Sequence, residues 1–196
     1  MIKLKICGMR DAANIRAVAE LKPDYMGFIF YEKSPRFVGT DFKIPVKNAV
    51  GVFVNESTER ILEKDVSIVQ LHGDETPAQC QELKDKGLTV IKAFSIDDDF
   101  DFAKTKDYKV DYFLFDTKGQ YYGGNAKAFN WNKLREYDQK IPFFLSGGLN
   151  AENLKDLGTL KGMNLYAIDL NSGVEDSPGV KNIGKIKEVI SLNIEH

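Results

Sequence analysis

The sequence predicts an α/β fold built as a single (β/α)8 barrel, and three observations lead to that prediction. Short apolar runs of strand character recur eight times, most of them are apolar at every position, and amphipathic helical stretches separate most of them. Uninterrupted apolar strands are typical of parallel sheets covered on both faces. The chain has 196 residues, 43% of them hydrophobic, so we expect one domain over residues 1–196.

The candidate strands follow one another at similar spacing along the whole chain. They are Leu4–Cys7, Tyr25–Phe30, Val50–Val54, Ile68–Leu71, Val90–Phe94, Tyr112–Phe115, Pro142–Leu145 and Leu165–Ile168. The chain lacks a Gly-x-Gly-x-x-Gly motif after the first strand and a Gly-x-x-x-x-Gly-Lys-Ser/Thr motif anywhere. Eight evenly spaced units therefore favour a closed barrel over an open doubly wound sheet.

The segments between the strands differ in how clearly their sequences predict a helix. Helical periodicity and capping residues predict helices at Asp11–Leu21, Ser57–Lys64, Asp74–Lys86, Asn150–Leu157 and Asn182–Leu192, with Pro77 in a first turn and Asn150 as an N-cap. Thr40–Lys47 contains Pro45 and is short, and Asp97–Lys106 is charged and weakly periodic. We therefore expect abbreviated second and fifth helices.

Composition restricts the classes of partner that the protein could bind and the compartment in which we expect it. The net charge of −2 supplies no broad positive field for nucleic acid. Two cysteines, Cys7 and Cys80, form neither a disulfide framework nor a metal-ligand cluster, which suits a reducing compartment. Because no apolar run reaches the ~18 residues of a membrane span and residues 1–10 lack a secretory apolar segment, we expect a cytoplasmic protein without membrane contact.

In such a barrel the chemistry gathers where the strands end. Cys7, His72, Asp116 and Asp169 stand at the ends of the first, fourth, sixth and eighth candidate strands. The ends of the seventh and eighth strands carry the sequences Ser146-Gly147-Gly148 and Asn171-Ser172-Gly173, whose backbone N–H groups would suit a phosphate. A tight turn would use the same residues. We predict a phosphorylated small-molecule ligand.

Each of these side chains has a catalytic and a structural interpretation. Cys7 is either a buried structural thiol or a base whose pKa is lowered by Lys5, which strand alternation puts on the same face. Asp116 follows three apolar residues, so burial would raise its pKa toward that of a general acid, whereas a solvated strand-end aspartate is the alternative.

Three further residues could bind a ligand. His72 is either a satisfied structural histidine or part of the site. Asp169 could position a ligand through a hydrogen bond. The Arg36 guanidinium is either a solvated charge on a loop or a group that binds a carboxylate through two hydrogen bonds.

Seven segments in chain order resemble the phosphoribosylanthranilate isomerase family of tryptophan biosynthesis over nearly the whole chain. They are Lys5–Gly8, Gly27–Phe30 with Ser34–Arg36, Val50–Asn55, Val69–Gly73, Asp116–Lys118 with Gly123–Gly124, Leu145–Leu149, and Ser172–Glu175 with Pro178–Gly179. The resemblance implies a (β/α)8 barrel that rearranges N-(5-phosphoribosyl)anthranilate to 1-(2-carboxyphenylamino)-1-deoxyribulose 5-phosphate.

The resemblance also implies roles for the site residues. Asp116 would be the general acid that protonates the furanose oxygen, and Cys7 the general base that removes the C2 proton. The remaining matches are substrate contacts: Arg36 with the anthranilate carboxylate, Gly147, Gly148, Ser172 and Gly173 with the phosphate, and His72 and Asp169 lining the pocket. It implies a phosphosugar substrate, no metal or organic cofactor, and a monomer or homodimer.

One loop departs from the family pattern, and two other functions stay open. Asn125-Ala126 and Asn130 alter the loop after the sixth strand, which bears on its closure over substrate. Another phosphosugar barrel, such as a pentose-phosphate epimerase or a related indole-pathway enzyme, is the second enzyme hypothesis; the single internal histidine argues against an epimerase. A phosphate-binding barrel without turnover is the third, and retention of Cys7 and Asp116 argues against it.

Overall fold

The computed structural model describes residues 2–117 and 130–192, and these form the closed parallel barrel that the sequence predicts. Each strand pairs in parallel with the next, and the eighth pairs with the first. The strands are β1 Lys3–Ile6, β2 Tyr25–Ile29, β3 Ala49–Phe53, β4 Ile68–Leu71, β5 Thr89–Ile96, β6 Tyr112–Thr117, β7 Phe143–Leu145 and β8 Leu165–Leu170.

The strands are buried on both faces, which explains their uninterrupted apolar sequences. On β6, Leu114 points into the barrel interior, where it meets Ile91, Ala93 and Phe144. Phe113 points outward into the layer between barrel and helices. Alternation along a strand thus sends neighbouring residues into two separate apolar environments, and every second residue reaches the barrel axis.

Within residues 2–117 and 130–192, four α-helices cover the barrel, and side chains cap all of them. They are α1 Ala12–Ala19, α2 Thr58–Leu62, α3 Pro77–Asp85 and α4 Ile183–Ser191. The residues Asp11, Ser57, Thr76 and Asn182 each accept a hydrogen bond from a backbone N–H of the first turn. Pro77 occupies the first turn of α3, as predicted.

Three other connections contain no α-helix. Residues 42–46 contain no helix at all, and the fifth connection is reduced to a 3₁₀ turn at Phe102–Thr105, which agrees with the two abbreviated helices. The helix predicted at Asn150–Leu157 was wrong in type and position: the segment forms a 3₁₀ helix at Asn153–Leu160. The Asn150 side chain accepts hydrogen bonds from the N–H groups of Glu152 and Asn153, which shapes the preceding turn.

A small antiparallel hairpin follows β8, and the sequence did not predict it. Its strands are β9 Glu175–Ser177 and β10 Val180–Lys181. Asn14 of α1 holds it through two bonds with the backbone of Lys181, both 2.8 Å long. The hairpin therefore sits firmly on the first unit of the barrel.

The described part of the chain, residues 2–117 and 130–192, contains no helix with the length and apolarity that crossing a membrane requires.

Candidate active site

Four of the predicted strand-end residues meet in one cavity at the carboxyl ends of the strands. Cys7, His72, Asp116 and Asp169 all line it, because each lies in the inward phase of its strand. The remaining lining residues are Ile29, Tyr31, Ser34, Val52, Val54, Gln70, Ser146 and Asn171. A thiol, an imidazole and two carboxylates therefore share one opening.

The Cys7 thiol is almost wholly buried, with 4% of the residue exposed. Burial raises the pKa of this thiol above its ordinary value. The Lys5 and Lys181 ammonium groups lower the pKa, and the Asp169 carboxylate raises it. Lys5 thus acts in the direction that the sequence indicates, but burial outweighs it and the net shift is upward.

Lys5 is fully buried in the barrel, and its ammonium group also forms hydrogen bonds with side chains other than Cys7. Its Nζ donates to Asp169 Oδ2 at 2.7 Å and to Gln70 Oε1 at 2.8 Å. Burial alone would lower the pKa of Lys5, but the charges of Asp169 and Cys7 raise it, so the amine stays protonated. The second oxygen of Asp169, Oδ1, is buried and has no hydrogen-bond partner among the described residues.

A second set of contacts leads from Gln70 to Asp116. Gln70 Nε2 lies 2.9 Å from His72 Nδ1, and His72 Nε2 lies 3.4 Å from Asp116 Oδ2. All three side chains are buried, Asp116 with 1% of the residue exposed. Hydrogen-bond contacts therefore run from Asp169 through Lys5 and Gln70 to His72, whose Nε2 faces Asp116 Oδ2 without forming a hydrogen bond.

Arg36 lies beside the cavity in an ion-pair cluster with the hairpin. Its Nε lies 2.9 Å from Glu175 Oε1 and its Nη2 lies 2.6 Å from Glu175 Oε2. Lys181 Nζ lies 2.6 Å from Glu175 Oε1 and 2.8 Å from Asn171 Oδ1. Burial lowers the pKa of Lys181 to about 8, while Arg36 and Lys181 together outweigh burial and lower the pKa of Glu175. Two cations share one carboxylate, so the cluster carries a net positive charge.

The two glycine-rich loops adjoin each other at the same end of the barrel. Gly147 and Gly148 have φ values of 99° and 66°, which favour glycine, and a Cβ on Gly173 would lie 2.0 Å from the carbonyl oxygen of Leu149. The backbone N–H groups of Gly147, Gly148, Ser172 and Gly173 make no hydrogen bond within the described residues, and the buried Ser172 Oγ has no partner there either. These donors and the hydroxyl form a cradle suited to an anion.

The described residues hold no group of three His, Cys, Asp or Glu side chains placed to bind a metal ion. Asn125 and Ala126, where the loop after the sixth strand departs from the family pattern, lie outside the described residues.

Sequence analysis assigned no role to several residues that the structure brings to the site. These are Gln70, Glu175 and Lys181. Period-two alternation could have found Gln70, which lies two residues before His72 on the same face of β4. The pairing of Arg36 with Glu175 had no such signal, since these two residues are 139 positions apart in the sequence.

The fold and the site together define a class: a (β/α)8 barrel with a thiol, an imidazole, two carboxylates and two glycine-rich loops at the carboxyl ends of its strands. Comparisons with known proteins narrow that class. The family model described as N-(5'phosphoribosyl)anthranilate (PRA) isomerase matches residues 4–192. The chain belongs to this family and is an isomerase.

Individual relatives agree over almost the full length. The N-(5'-phosphoribosyl)anthranilate isomerase of Parabacteroides distasonis is 44% identical, over 95% of this chain and 91% of the relative. The crystal structure of phosphoribosyl anthranilate isomerase from Thermotoga maritima matches with a TM-score of 0.82 and 32% identity, over 97% of this chain and 98% of that one. A phosphoribosyl anthranilate isomerase in complex with reduced 1-(o-carboxyphenylamino)-1-deoxyribulose 5-phosphate matches with a TM-score of 0.79 and 30% identity, over 97% of each chain.

Proposed function

We propose that this protein catalyses the rearrangement of N-(5-phosphoribosyl)anthranilate to 1-(2-carboxyphenylamino)-1-deoxyribulose 5-phosphate in tryptophan biosynthesis. The observation that carries the proposal is that Cys7 on the β1 end and Asp116 on the β6 end line one cavity. An aldose-to-ketose shift needs an acid and a base on a sugar phosphate held between them. Membership of the isomerase family supports the same substrate.

In the first step Asp116 gives its proton to the furanose oxygen. The bond between C1 and the ring oxygen breaks, its electron pair stays on that oxygen, and the anthranilate nitrogen forms a protonated imine with C1. The carboxyl group must carry its proton before this step, and only 1% of Asp116 is exposed to solvent. This step leaves a positive charge beside C2.

In the second step the Cys7 thiolate takes the C2 proton. The electron pair of that bond forms the C1–C2 double bond, the imine nitrogen becomes neutral, and the resulting enolamine tautomerises to the ketose. Burial raises the pKa of the Cys7 thiol in the free protein. The cationic imine would oppose that effect, so the thiolate forms most readily when the intermediate is present.

Arg36 is the proposed contact for the anthranilate carboxylate. Glu175 occupies Nε and one N–H of Nη2, and a guanidinium has five donors, so three N–H groups remain along its other edge. The net positive charge of the Arg36, Glu175 and Lys181 cluster favours an incoming anion. Glu175 would fix the orientation of the guanidinium for that contact.

The phosphate would occupy the cradle at Gly147, Gly148, Ser172 and Gly173. Its backbone donors and the Ser172 hydroxyl have no partner among the described residues, so a bound phosphate would satisfy them. His72 and Asp169 would line the space between the acid and the base. We further propose that the protein works in the cytoplasm, without metal or organic cofactor, as a monomer or homodimer.

The test is turnover by the purified wild-type protein of freshly prepared N-(5-phosphoribosyl)anthranilate, followed by loss of substrate fluorescence. We expect turnover, and rescue of a tryptophan auxotroph that lacks this isomerase. A protein that binds the substrate without converting it would contradict the proposal and favour a phosphate-binding barrel. Epimerisation of a pentose phosphate in place of this reaction would favour the second enzyme hypothesis.

A further inference from the structure

The side-chain amide of Gln70 has only one chemically acceptable orientation. Its neighbour on one side is the Lys5 ammonium, 2.8 Å away, which has donors and no acceptor. The oxygen Oε1 must therefore face Lys5, because the reverse orientation would bring an NH₂ group against an NH₃⁺ group. Lys5 is itself held by Asp169 at 2.7 Å, so this end of the contact series is fixed.

The orientation of Gln70 determines which nitrogen of His72 carries the proton. With Oε1 on Lys5, the Gln70 Nε2–H group faces His72 Nδ1 at 2.9 Å. Nδ1 must accept that hydrogen bond, since a proton on Nδ1 would face another N–H. The imidazole proton therefore sits on Nε2, the atom 3.4 Å from Asp116 Oδ2.

We propose that Gln70 is a positioning residue that fixes His72 as the Nε2–H tautomer, so that His72 can donate toward Asp116 but cannot take the proton that Asp116 delivers. This inference rests on the proposed function of Asp116 as the general acid. A bare Nε2 at this distance would accept the carboxyl proton and remove it from the reaction. An Nε2–H group cannot accept that proton, and at 3.4 Å it faces Oδ2 without a hydrogen bond, so the proton stays on Asp116 for the substrate.

The tautomer is measurable directly, because the chain has only two histidines, His72 and His196. A sample labelled with ¹⁵N in histidine gives two imidazole spin systems, and a His196→Ala variant assigns them. We expect an unprotonated, pyridine-type Nδ1 and a protonated, pyrrole-type Nε2 for His72 in the wild type. A proton on Nδ1 of His72 would overturn the inference without any variant.

The substitution Gln70→Glu replaces the donor by an acceptor of the same shape. We expect the His72 proton to move to Nδ1, with kcat at least tenfold lower and KM changed less than threefold. Gln81→Glu makes the same change on the exposed side of α3, where the Gln81 side chain donates to Asp85, and should change neither readout. If Gln70→Glu does not fold, Gln70→Met takes its place and should lower kcat together with the tautomer preference.

The outcomes distinguish a failure of the proposed function from a failure of the proposed role of Gln70. A wild type with no turnover contradicts the proposed function, whatever its tautomer. A moved proton with unchanged kcat, or a lower kcat with an unmoved proton, would contradict the role of Gln70 in an enzyme that is active.

Discussion

At the residue scale, the electrostatics of the site centre on the buried ammonium group of Lys5, which several side chains share. Lys5 faces Asp169, Gln70 and the Cys7 thiol together, and all four groups are cut off from solvent. The pKa of Cys7 therefore reflects burial first, with Lys5 and Lys181 lowering it and Asp169 raising it. The ion pair of Lys5 with Asp169 limits how far the amine can activate the thiol.

The first prediction concerns the alkylation of Cys7 by iodoacetamide as a function of pH, read for its own peptide by mass spectrometry. Only the thiolate reacts, so the rate rises with pH until the pH passes the pKa of the thiol. Since burial raises that pKa above the ordinary value of a thiol, the rate in the wild type should still be climbing at a pH where the rate of an unperturbed thiol has levelled off. Lys5→Met should move the profile to higher pH, and Asp169→Asn should move it to lower pH.

Lys3→Met is the matched control for this prediction. Lys3 shares the inward phase of β1 with Lys5, but its ammonium pairs with Asp24 and its side chain is 47% exposed. The Cys7 profile should not move in this variant. An unchanged profile in Lys5→Met would contradict the electrostatic link between Lys5 and the thiol.

At the element scale, the loops of the site depend on ion pairs that lie beneath them. Lys92 points outward from β5, and its Nζ lies 2.8 Å from Glu75 Oε2 and 2.6 Å from the carbonyl oxygen of Gly73. Glu75 in turn accepts from the N–H groups of Asn55 and Gly73. The loop that follows His72 is thus held by a pair whose two side chains are at most 2% exposed.

The corresponding prediction is a stability measurement by denaturant unfolding. Removing one partner of a buried pair leaves the other charge unpaired, so Lys92→Met should lower the free energy of unfolding by about 3–5 kcal/mol. Lys84→Met is the control. Lys84 also forms an ion pair, with Asp111, but both side chains of this pair are about one-third exposed. It should cost about 1 kcal/mol or less. Equal losses in the two variants would contradict the account of Lys92.

The elements also show what local sequence can and cannot predict. The strands were predictable because both of their faces are apolar, and α1, α2, α3 and α4 because their caps and periodicity are local signals. The segment after β7 was mistaken for an α-helix, since Asn150 is a good capping residue whether an α or a 3₁₀ turn follows. The hairpin at Glu175–Lys181 contains the turn signal Pro178-Gly179, but its strands of three and two residues are too short to show an alternating pattern, and Asn14 holds it from another part of the chain.

At the scale of the whole molecule, barrel closure is what assembles the site. β8 pairs with β1, and this brings Asp169 within 2.7 Å of Lys5 across 164 positions of sequence. The candidate acid and base were predictable as strand-end residues, because a barrel gathers all strand ends at one mouth. Their partners Gln70, Glu175 and Lys181 depend on the register between distant strands, which no local pattern contains.

The central claim is that Cys7 and Asp116 act as base and acid on one bound phosphosugar, and one measurement tests it most directly. Turnover of N-(5-phosphoribosyl)anthranilate is compared in wild type, Cys7→Ala and Asp116→Asn, beside the affinity of each for reduced 1-(2-carboxyphenylamino)-1-deoxyribulose 5-phosphate. Cys80→Ala and Asp99→Asn, which change a core cysteine and an exposed aspartate, are the controls. General acid or base catalysis contributes on the order of 10²–10⁴-fold, so kcat should fall by at least that much in both site variants, with affinity and the controls little changed. Wild-type turnover in either Cys7→Ala or Asp116→Asn would contradict the claim.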